Sequence, residues 1–320
     1  MDKGLVIRGS HNIFTVRSDS ENGAVSREFS CRIKGKVLKD TEGQYNPIAP
    51  GDRVVFQTQD NPDAAGLILG LEERRNWFSR YNQKGGTSQL LAANIDLVLC
   101  MTTPDSPPFR PRFLDRVLLQ ADAAGIEAVI ICNKCDLPGN DPDVDERLED
   151  FIRIGYKVLR ISAKTGMGLE NLMPLIAGKT SVLVGQSGAG KSSLLNALHP
   201  ELNIKTGVLN QKYNKGNHTT TMSFMAEIST FDTSLDTARI IDTPGLRRFV
   251  PDGIGVADII NHMREFSPLS GLCSYGISCS HITEPGCKIM EAVAAGHIHE
   301  DRYESFLRIR DELAGKSCGD

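Results

Sequence analysis

The chain has 320 residues, 40% of them hydrophobic and 24% charged, and a formal net charge of −4. That is ample material for two or three buried cores, and the weak acidity excludes nucleic-acid binding driven by global charge, so any such surface must be local. The apolar runs fall far short of the ~18 residues a membrane helix needs, and no basic segment followed by an apolar core opens the chain. A cytoplasmic protein without a membrane partner is expected.

Residues 1–80 read as all-β. Short alternating runs at 5–7, 13–16, 29–33, 37–38, 53–56 and 66–69 are separated by Gly, Asn, Asp and Pro, which suits a small Greek-key barrel, and the OB-fold is the common barrel of this size that binds nucleic acid. Arg27, Arg32, Lys34, Lys36 and Lys39 crowd one strand; RNA contact and a solvated strand face are both open to it. Arg74, Arg75, Trp77 and Arg80 follow, with Trp77 read as a domain-interface anchor rather than a base-stacking surface.

From about residue 84 strands alternate with helices, which implies a mostly parallel sheet with helices on both faces. A strand is expected at 95–101, a helix at 113–124, and a strand at 128–132 that ends in Asn133-Lys134-Cys135-Asp136. An N-K-x-D at the end of a buried strand, where such sheets bind ligands, can read guanine. The Asp136 carboxylate would accept from N1–H and the 2-amino group, with Asn133 and Lys134 holding the loop and the base plane. After a helix (143–154) and a strand (157–161) comes Ser162-Ala163-Lys164, placed for a backbone-mediated guanine contact; Ser162 also suits a helix N-cap.

The run at 182–184 stops at Gly185, the loop Gly185-Gln186-Ser187-Gly188-Ala189-Gly190 follows, and Lys191-Ser192-Ser193 opens a stretch, 191–198, that reads as a helix. This is the strand, loop and helix context that makes G-x-x-x-x-G-K-[ST] a P-loop. Gly188 and Gly190 let backbone N–H groups face phosphate oxygens, Lys191 reaches the β/γ-phosphates, and Ser192 ligates Mg²⁺. The polar segment 214–221 reads as switch I, with Thr220 expected on Mg²⁺ and the γ-phosphate and Thr219 or Thr221 as alternatives. A strand at 238–241 ends in Asp242-Thr243-Pro244-Gly245. There the carboxylate holds Mg²⁺ through water and the Gly245 N–H senses the γ-phosphate. A GTP/GDP site with Mg²⁺ is expected.

Regulatory GTPases place the P-loop first, whereas here NKCD and SAK precede it. The order is that of a circular permutation with the old termini joined near 165–180. DTPG therefore leads through 246–251 straight into the C-terminal region, and switch motion is expected to pass along that link.

Of the eight cysteines, Cys100 and Cys132 sit in apolar strands and read as small buried hydrophobes. Cys273, Cys279 and Cys287 cluster with His281 as C-x5-C-x-H-x5-C, a closed set of three thiolates and one imidazole that suits one structural zinc. Helices are expected at 256–265 and 292–313, with the zinc stapling a small helical unit.

The permuted order, with Pro50-Gly51-Asp52-Arg53-Val54, Ala92-Ala93-Asn94-Ile95-Asp96, Gly216-Asn217-His218-Thr219-Thr220-Thr221 and His281-Ile282-Thr283-Glu284-Pro285-Gly286-Cys287, resembles the RsgA/YjeQ family of bacterial small-ribosomal-subunit-dependent GTPases over nearly the whole chain. The resemblance implies a multidomain α/β protein: an OB-fold RNA-binding barrel (1–82), a circularly permuted P-loop GTPase domain (83–250) and a helical zinc domain (251–320). It also implies GTP hydrolysis stimulated by the small ribosomal subunit, rRNA contact near the decoding region and a part in late subunit maturation, with no need for self-association. Two departures stand out: the first zinc cysteines are separated by five residues where the family usually has four, and Asn217 replaces a usual Arg or Lys. Leu246 stands where Ras-like proteins place a water-orienting glutamine, so slow intrinsic turnover is expected; His218 is the candidate catalytic group beside Lys191 and Thr220, with a purely structural role equally open to it. The alternative reading is a GTP-switched RNA-binding assembly module with negligible turnover.

Overall fold

The computed structural model describes residues 1–10, 12–19, 26–35, 47–58, 65–137, 141–204, 223–229 and 237–315. Five strands, β1 (Asp2–Ser10), β2 (Ile13–Ser18), β3 (Glu28–Ile33), β4 (Arg53–Thr58) and β5 (Ala65–Leu71), pair in the order β1-β2-β3-β5-β4, and β4 returns to β1 to close a barrel. The β3–β5 pair is parallel and the others are antiparallel, as an OB-type Greek key requires. Alternating inward residues (Val6, Phe14, Val16, Cys31, Val54, Phe56, Ile68) fill it. Gly51, at φ +95°, closes so tightly on the Ala93 carbonyl that a Cβ would overlap it. Asn94 donates its amide to Gly51 O at 2.9 Å, and Asp96 accepts from the Thr180 N–H at 2.9 Å. The Pro-Gly-Asp and Ala-Ala-Asn-Ile-Asp segments are thus the staple between the barrel and the following sheet.

A hairpin of β6 (Trp77–Asn82) and β7 (Thr87–Ala93) comes next, and the expected division between residues 82 and 83 falls at its turn. Trp77 is 54% exposed, so it does not anchor a domain interface; β6 turns its neighbours Phe78 and Ser79 inward instead.

The α/β part comprises β8 (Leu97–Thr102), α1 (Pro111–Ala123), β9 (Glu127–Cys132), α2 (Pro142–Arg153), β10 (Lys157–Arg160), α3 (Leu169–Ile176), β11 (Thr180–Gly185), α4 (Lys191–Leu198), β12 (Ser223–Ile228) and β13 (Ala238–Asp242). Its sheet runs β10-β9-β8-β11-β13-β12, parallel except for β12, which lies antiparallel to β13. Separate apolar clusters cover the two faces, as a sheet with near-continuous hydrophobic strands demands. β12 also pairs with β1 (Arg8↔Phe224, Gly9↔Ser223), just past a register shift between Val6 and Arg8, so barrel and sheet share hydrogen bonds.

The C-terminal part departs from the expected pair of helices. Residues 256–262 form 3₁₀ turns rather than an α-helix. The second stretch is divided into α5 (Lys288–Ala294) and α6 (Glu300–Leu313). Gly296 at φ +74° ends α5, the His297 N–H turns back to Ala292 O at 2.9 Å, and the His299 ring accepts from the Asp301 N–H to start α6. Arg302 on α6 is fully buried and bonds Asp115 of α1 at 2.7 Å as well as Glu265, docking this part onto the α/β core.

Candidate active site

Loops leaving the carboxyl ends of β9, β10, β11 and β13 meet at one edge of the sheet, the place where parallel sheets accept ligands. Asn133 is buried and joins the first three of them. Its amide nitrogen donates to Ala189 O at 2.9 Å and its oxygen accepts from the Ala163 N–H at 2.9 Å. Gly190, at φ +97°, leaves the space this needs, since a Cβ there would overlap the Asn133 amide. Lys134 adopts φ +67° and donates to Ser106 O. The half-buried Asp136 carboxylate makes no hydrogen bond or ion pair among the described residues, so its acceptors are open to a ligand. Ser162 is buried, and its hydroxyl accepts from the Thr165 N–H at 3.1 Å. It caps a turn rather than a helix, since α3 begins later.

At the other end of the edge, Lys191 is buried and folds over the loop, donating to the carbonyls of Gly185 and Gln186 at 3.1 and 3.3 Å. The N–H groups of Gly190, Lys191, Ser192 and Ser193 find no acceptor among the described residues, as the first turn of a helix dictates, and they form a ready anion cradle. Burial pushes the Asp242 carboxyl up to about 6 against the attraction of Lys191, and it lowers Lys191 as well; desolvation outweighs their mutual attraction. Asp242 Oδ1 is buried and unpartnered, and the Ser192 hydroxyl likewise has no partner among the described residues. Hard oxygen donors left open beside a phosphate cradle fit Mg²⁺. Gly245 packs on Ser187, where a Cβ would come within 2.8 Å of its Cα, and the Leu246 N–H donates to Gly185 O at 3.1 Å. The DTPG loop therefore lies against the P-loop backbone, while the Leu246 side chain is buried in the core.

Far from this edge, one ligand atom from each of Cys273, Cys279, His281 and Cys287 lies within 4.8 Å of all the others, and all four residues are buried. The Cys273 and Cys287 sulfurs are 3.9 Å apart, and His281 Nδ1 is 3.5 and 3.4 Å from them. Tetrahedral zinc with Zn–S of about 2.3 Å spaces its sulfurs by roughly 3.8 Å, so the cluster has the size of a closed zinc site. The Lys288 N–H donates to Cys273 Sγ at 3.3 Å, and Tyr303 OH donates to His281 O at 2.7 Å, outer bonds of the kind that orient ligands.

Residues 71–250 match the model of the RsgA GTPase family. A Flavobacterium johnsoniae protein described as small ribosomal subunit biogenesis GTPase RsgA is 37% identical over 96% of this chain and 92% of its own, and one of the same description from Gemmatimonas aurantiaca is 35% identical over 98% of each. Among solved structures, YjeQ from Thermotoga maritima superposes with a TM-score of 0.72 at 29% identity over 99% of each chain. YloQ, described as a circularly permuted GTPase, gives 0.66 at 25% identity over 100% of this chain and 97% of that one.

The chain belongs to the RsgA GTPase family.

As a family member it brings together Asn133, Lys134, Asp136, Ser162, Ala163, Gly185, Gln186, Ser187, Gly188, Ala189, Gly190, Lys191, Ser192, Ser193, Asp242 and Gly245 along one sheet edge, with Lys164 exposed at its margin. Thr220 and His218 lie outside the described residues. Sequence reading passed over the segment 104–108, which Lys134 reaches through Ser106 and Gly188 meets at Pro107. Its signal was present: three prolines directly after β8, at the carboxyl end of a buried strand. In the basic strand left open to RNA contact or solvent, Arg27, Arg32 and Lys34 are exposed, while Lys36 and Lys39 lie outside the described residues; in the second basic patch, Arg74 is committed to Asp52 and Pro47 O.

Proposed function

We propose that this RsgA-family chain hydrolyses GTP in cytoplasmic maturation of the small ribosomal subunit, with turnover stimulated by that subunit and its rRNA. The observation that carries the reading is the Asn133 amide, which ties the phosphate loop at Ala189 to the base loop at Ala163. Asp136 selects guanine, with Asn133, Lys134, Ser162, Ala163 and Lys164 shaping the base slot. Gly188, Gly190 and Lys191 hold the phosphates, while Ser192, Asp242 and Thr220 hold Mg²⁺. When bound, that ion supplies charge neutralisation at the β- and γ-phosphates. Cys273, Cys279, His281 and Cys287 hold one structural zinc. The division into 1–82, 83–250 and 251–320 is supported by the barrel's own core around Phe14 and Phe56 and by a C-terminal core around Phe266 and Phe306.

Leu246 is buried and apolar, so it cannot orient the attacking water. Intrinsic hydrolysis is therefore slow, and His218 acts once the subunit engages switch I. Phosphate release from GTP, measured with and without small subunits for the wild type and His218→Ala, tests both steps. Stimulation in the wild type and its loss in the variant are expected. An equal stimulated rate removes His218 from catalysis, and negligible release under both conditions favours a GTP-switched binding module instead.

A further inference from the structure

Cys132 closes β9 and Cys135 stands three residues later, so Cys132-Asn133-Lys134-Cys135 is a C-x-x-C placed across the two residues that hold the base loop. The Cys135 thiol donates to Cys132 O at 3.2 Å, and Cys135 packs against the apolar cluster that contains Cys132. Cys132 is fully buried, whereas Cys135 is half-buried and opens on a cavity of about 580 Å³ lined also by Pro104, Leu137, Asp145, Arg160 and Met167. The neighbouring Cys132 side chain and the Arg160 guanidinium hold Cys135 below the usual thiol range, while the Cys135 side chain and burial push Cys132 up. An accessible, thiolate-prone sulfur beside a buried second sulfur is the arrangement of a reactive and a resolving cysteine.

We propose that Cys132 and Cys135 form a peroxide-sensitive pair whose disulfide disables the base loop. The proposal rests on the guanine reading of NKCD. The Cys135 thiolate attacks one oxygen of hydrogen peroxide; an S–O bond forms, the O–O bond breaks, and hydroxide leaves. The Cys132 sulfur then attacks the Cys135 sulfenic acid. The S–S bond forms, the S–O bond breaks, and the departing oxygen takes the Cys132 proton and leaves as water. Two thiols and one peroxide thus give one disulfide and two waters.

The ring that closes contains Asn133 and Lys134. In the reduced chain their path is set by the Asn133 N–H on Thr102 O at 2.9 Å, the Cys135 N–H on Ile161 O at 3.1 Å and the left-handed Lys134. Drawing the sulfurs to the disulfide length of about 2.05 Å moves Cys135 away from Cys132 O and loads the change onto those two residues. The Asn133 bonds to Ala189 and Ala163 then loosen, and the two ends of the site separate.

The test uses the full zinc-loaded chain, mant-GDP as probe and hydrogen peroxide as oxidant. Non-reducing peptide mapping is expected to find the 132–135 peptide two hydrogens lighter, with mant-GDP affinity weaker by about tenfold, the loss of one strong hydrogen bond, and restored by dithiothreitol. Cys135→Ser is expected to bind as tightly as the reduced wild type and to keep its affinity in peroxide. In Cys132→Ser, dimedone is expected to trap the sulfenic acid at Cys135. Three results overturn the proposal: no 132–135 disulfide, a complete disulfide with unchanged affinity, or an equal loss in Cys135→Ser, which would trace the effect to the zinc thiols. A reduced wild-type chain that binds no mant-GDP fails earlier and overturns the guanine reading itself.

Discussion

Asp242 is held in a condition that suits a bound cation better than an empty chain. Its carboxyl rises from 3.8 to about 6 because burial disfavours its charge. The folded chain thus holds this proton more tightly than the unfolded one does; the resulting stabilisation is complete below about pH 4 and is lost as pH rises through about 6. At neutral pH the buried charge costs the ligand-free fold about 1–3 kcal/mol. Asp242→Asn is expected to raise the melting midpoint of the nucleotide-free chain by about 2–6 °C while removing the Mg²⁺-dependent part of GTP binding; calorimetry that finds a lower midpoint contradicts this. Asp136 poses the converse case, an open acceptor that the proposed function makes the selector of the base. An amide in its place presents a donor toward position 2 of the base, so Asp136→Asn is expected to lose GTP and gain xanthosine triphosphate, a reversal of about 10²-fold or more in competition binding. Parallel weakening of both nucleotides would mean that the carboxylate does not touch the base.

At the scale of elements, each site loop is the carboxyl end of a strand that its own residues specify. The apolar runs at 97–102, 127–132 and 180–185 are buried along nearly their whole length, which is why a pattern of short hydrophobic runs sufficed to place the loops, and why the order of the loops revealed the permutation. The contacts that make four loops into one site were not legible. Asn133 and Ala189 are 56 positions apart, and no local spacing encodes an amide reaching across two strands. The same limit hid β12, whose Ser223–Ile228 run follows polar sequence and is fixed by pairing with β13 and β1. The β6–β7 hairpin did carry a signal, Gly85-Gly86 in its turn, but the strands on either side are short and of mixed polarity. Trp77 was misread because an aromatic residue beside arginines signals contact without saying with what. The break between α5 and α6 did carry a signal, Gly296, and the helical period on either side of it masked the interruption.

For the whole molecule, the permutation places the DTPG loop directly upstream of a strip of chain that three other elements grip. Arg248 bonds Glu312 of α6 at 2.6 Å, and Glu312 also pairs with Arg116 of α1 at 3.0 Å. Phe249 packs between Phe78 of the hairpin and Phe113 of α1, with ring centroids 5.7 and 6.4 Å away. The Val250 carbonyl accepts from Tyr81 N–H at 2.9 Å, and the Asp252 N–H donates to Gln120 at 2.7 Å. A displacement of Gly245 by a γ-phosphate would therefore reach the hairpin, α1 and α6 within a few residues, while Arg302 keeps α6 docked on Asp115. Coupling of this kind is reciprocal: if GTP tightens the hold on a small subunit, the subunit tightens GTP by the same factor. A flexible Gly-Ser insertion after Phe249 is expected to shrink the GTP-against-GDP difference in subunit affinity about threefold or more, and to shrink the subunit's effect on GTP affinity equally. Because an insertion can disturb packing, Arg248→Ala provides the gentler arm; its partly exposed ion pair is worth only about 0.5–1 kcal/mol, so a smaller loss of the same sign is expected. Subunit binding that discriminates GTP from GDP as strongly in the insertion variant as in the wild type would refute transmission through this strip.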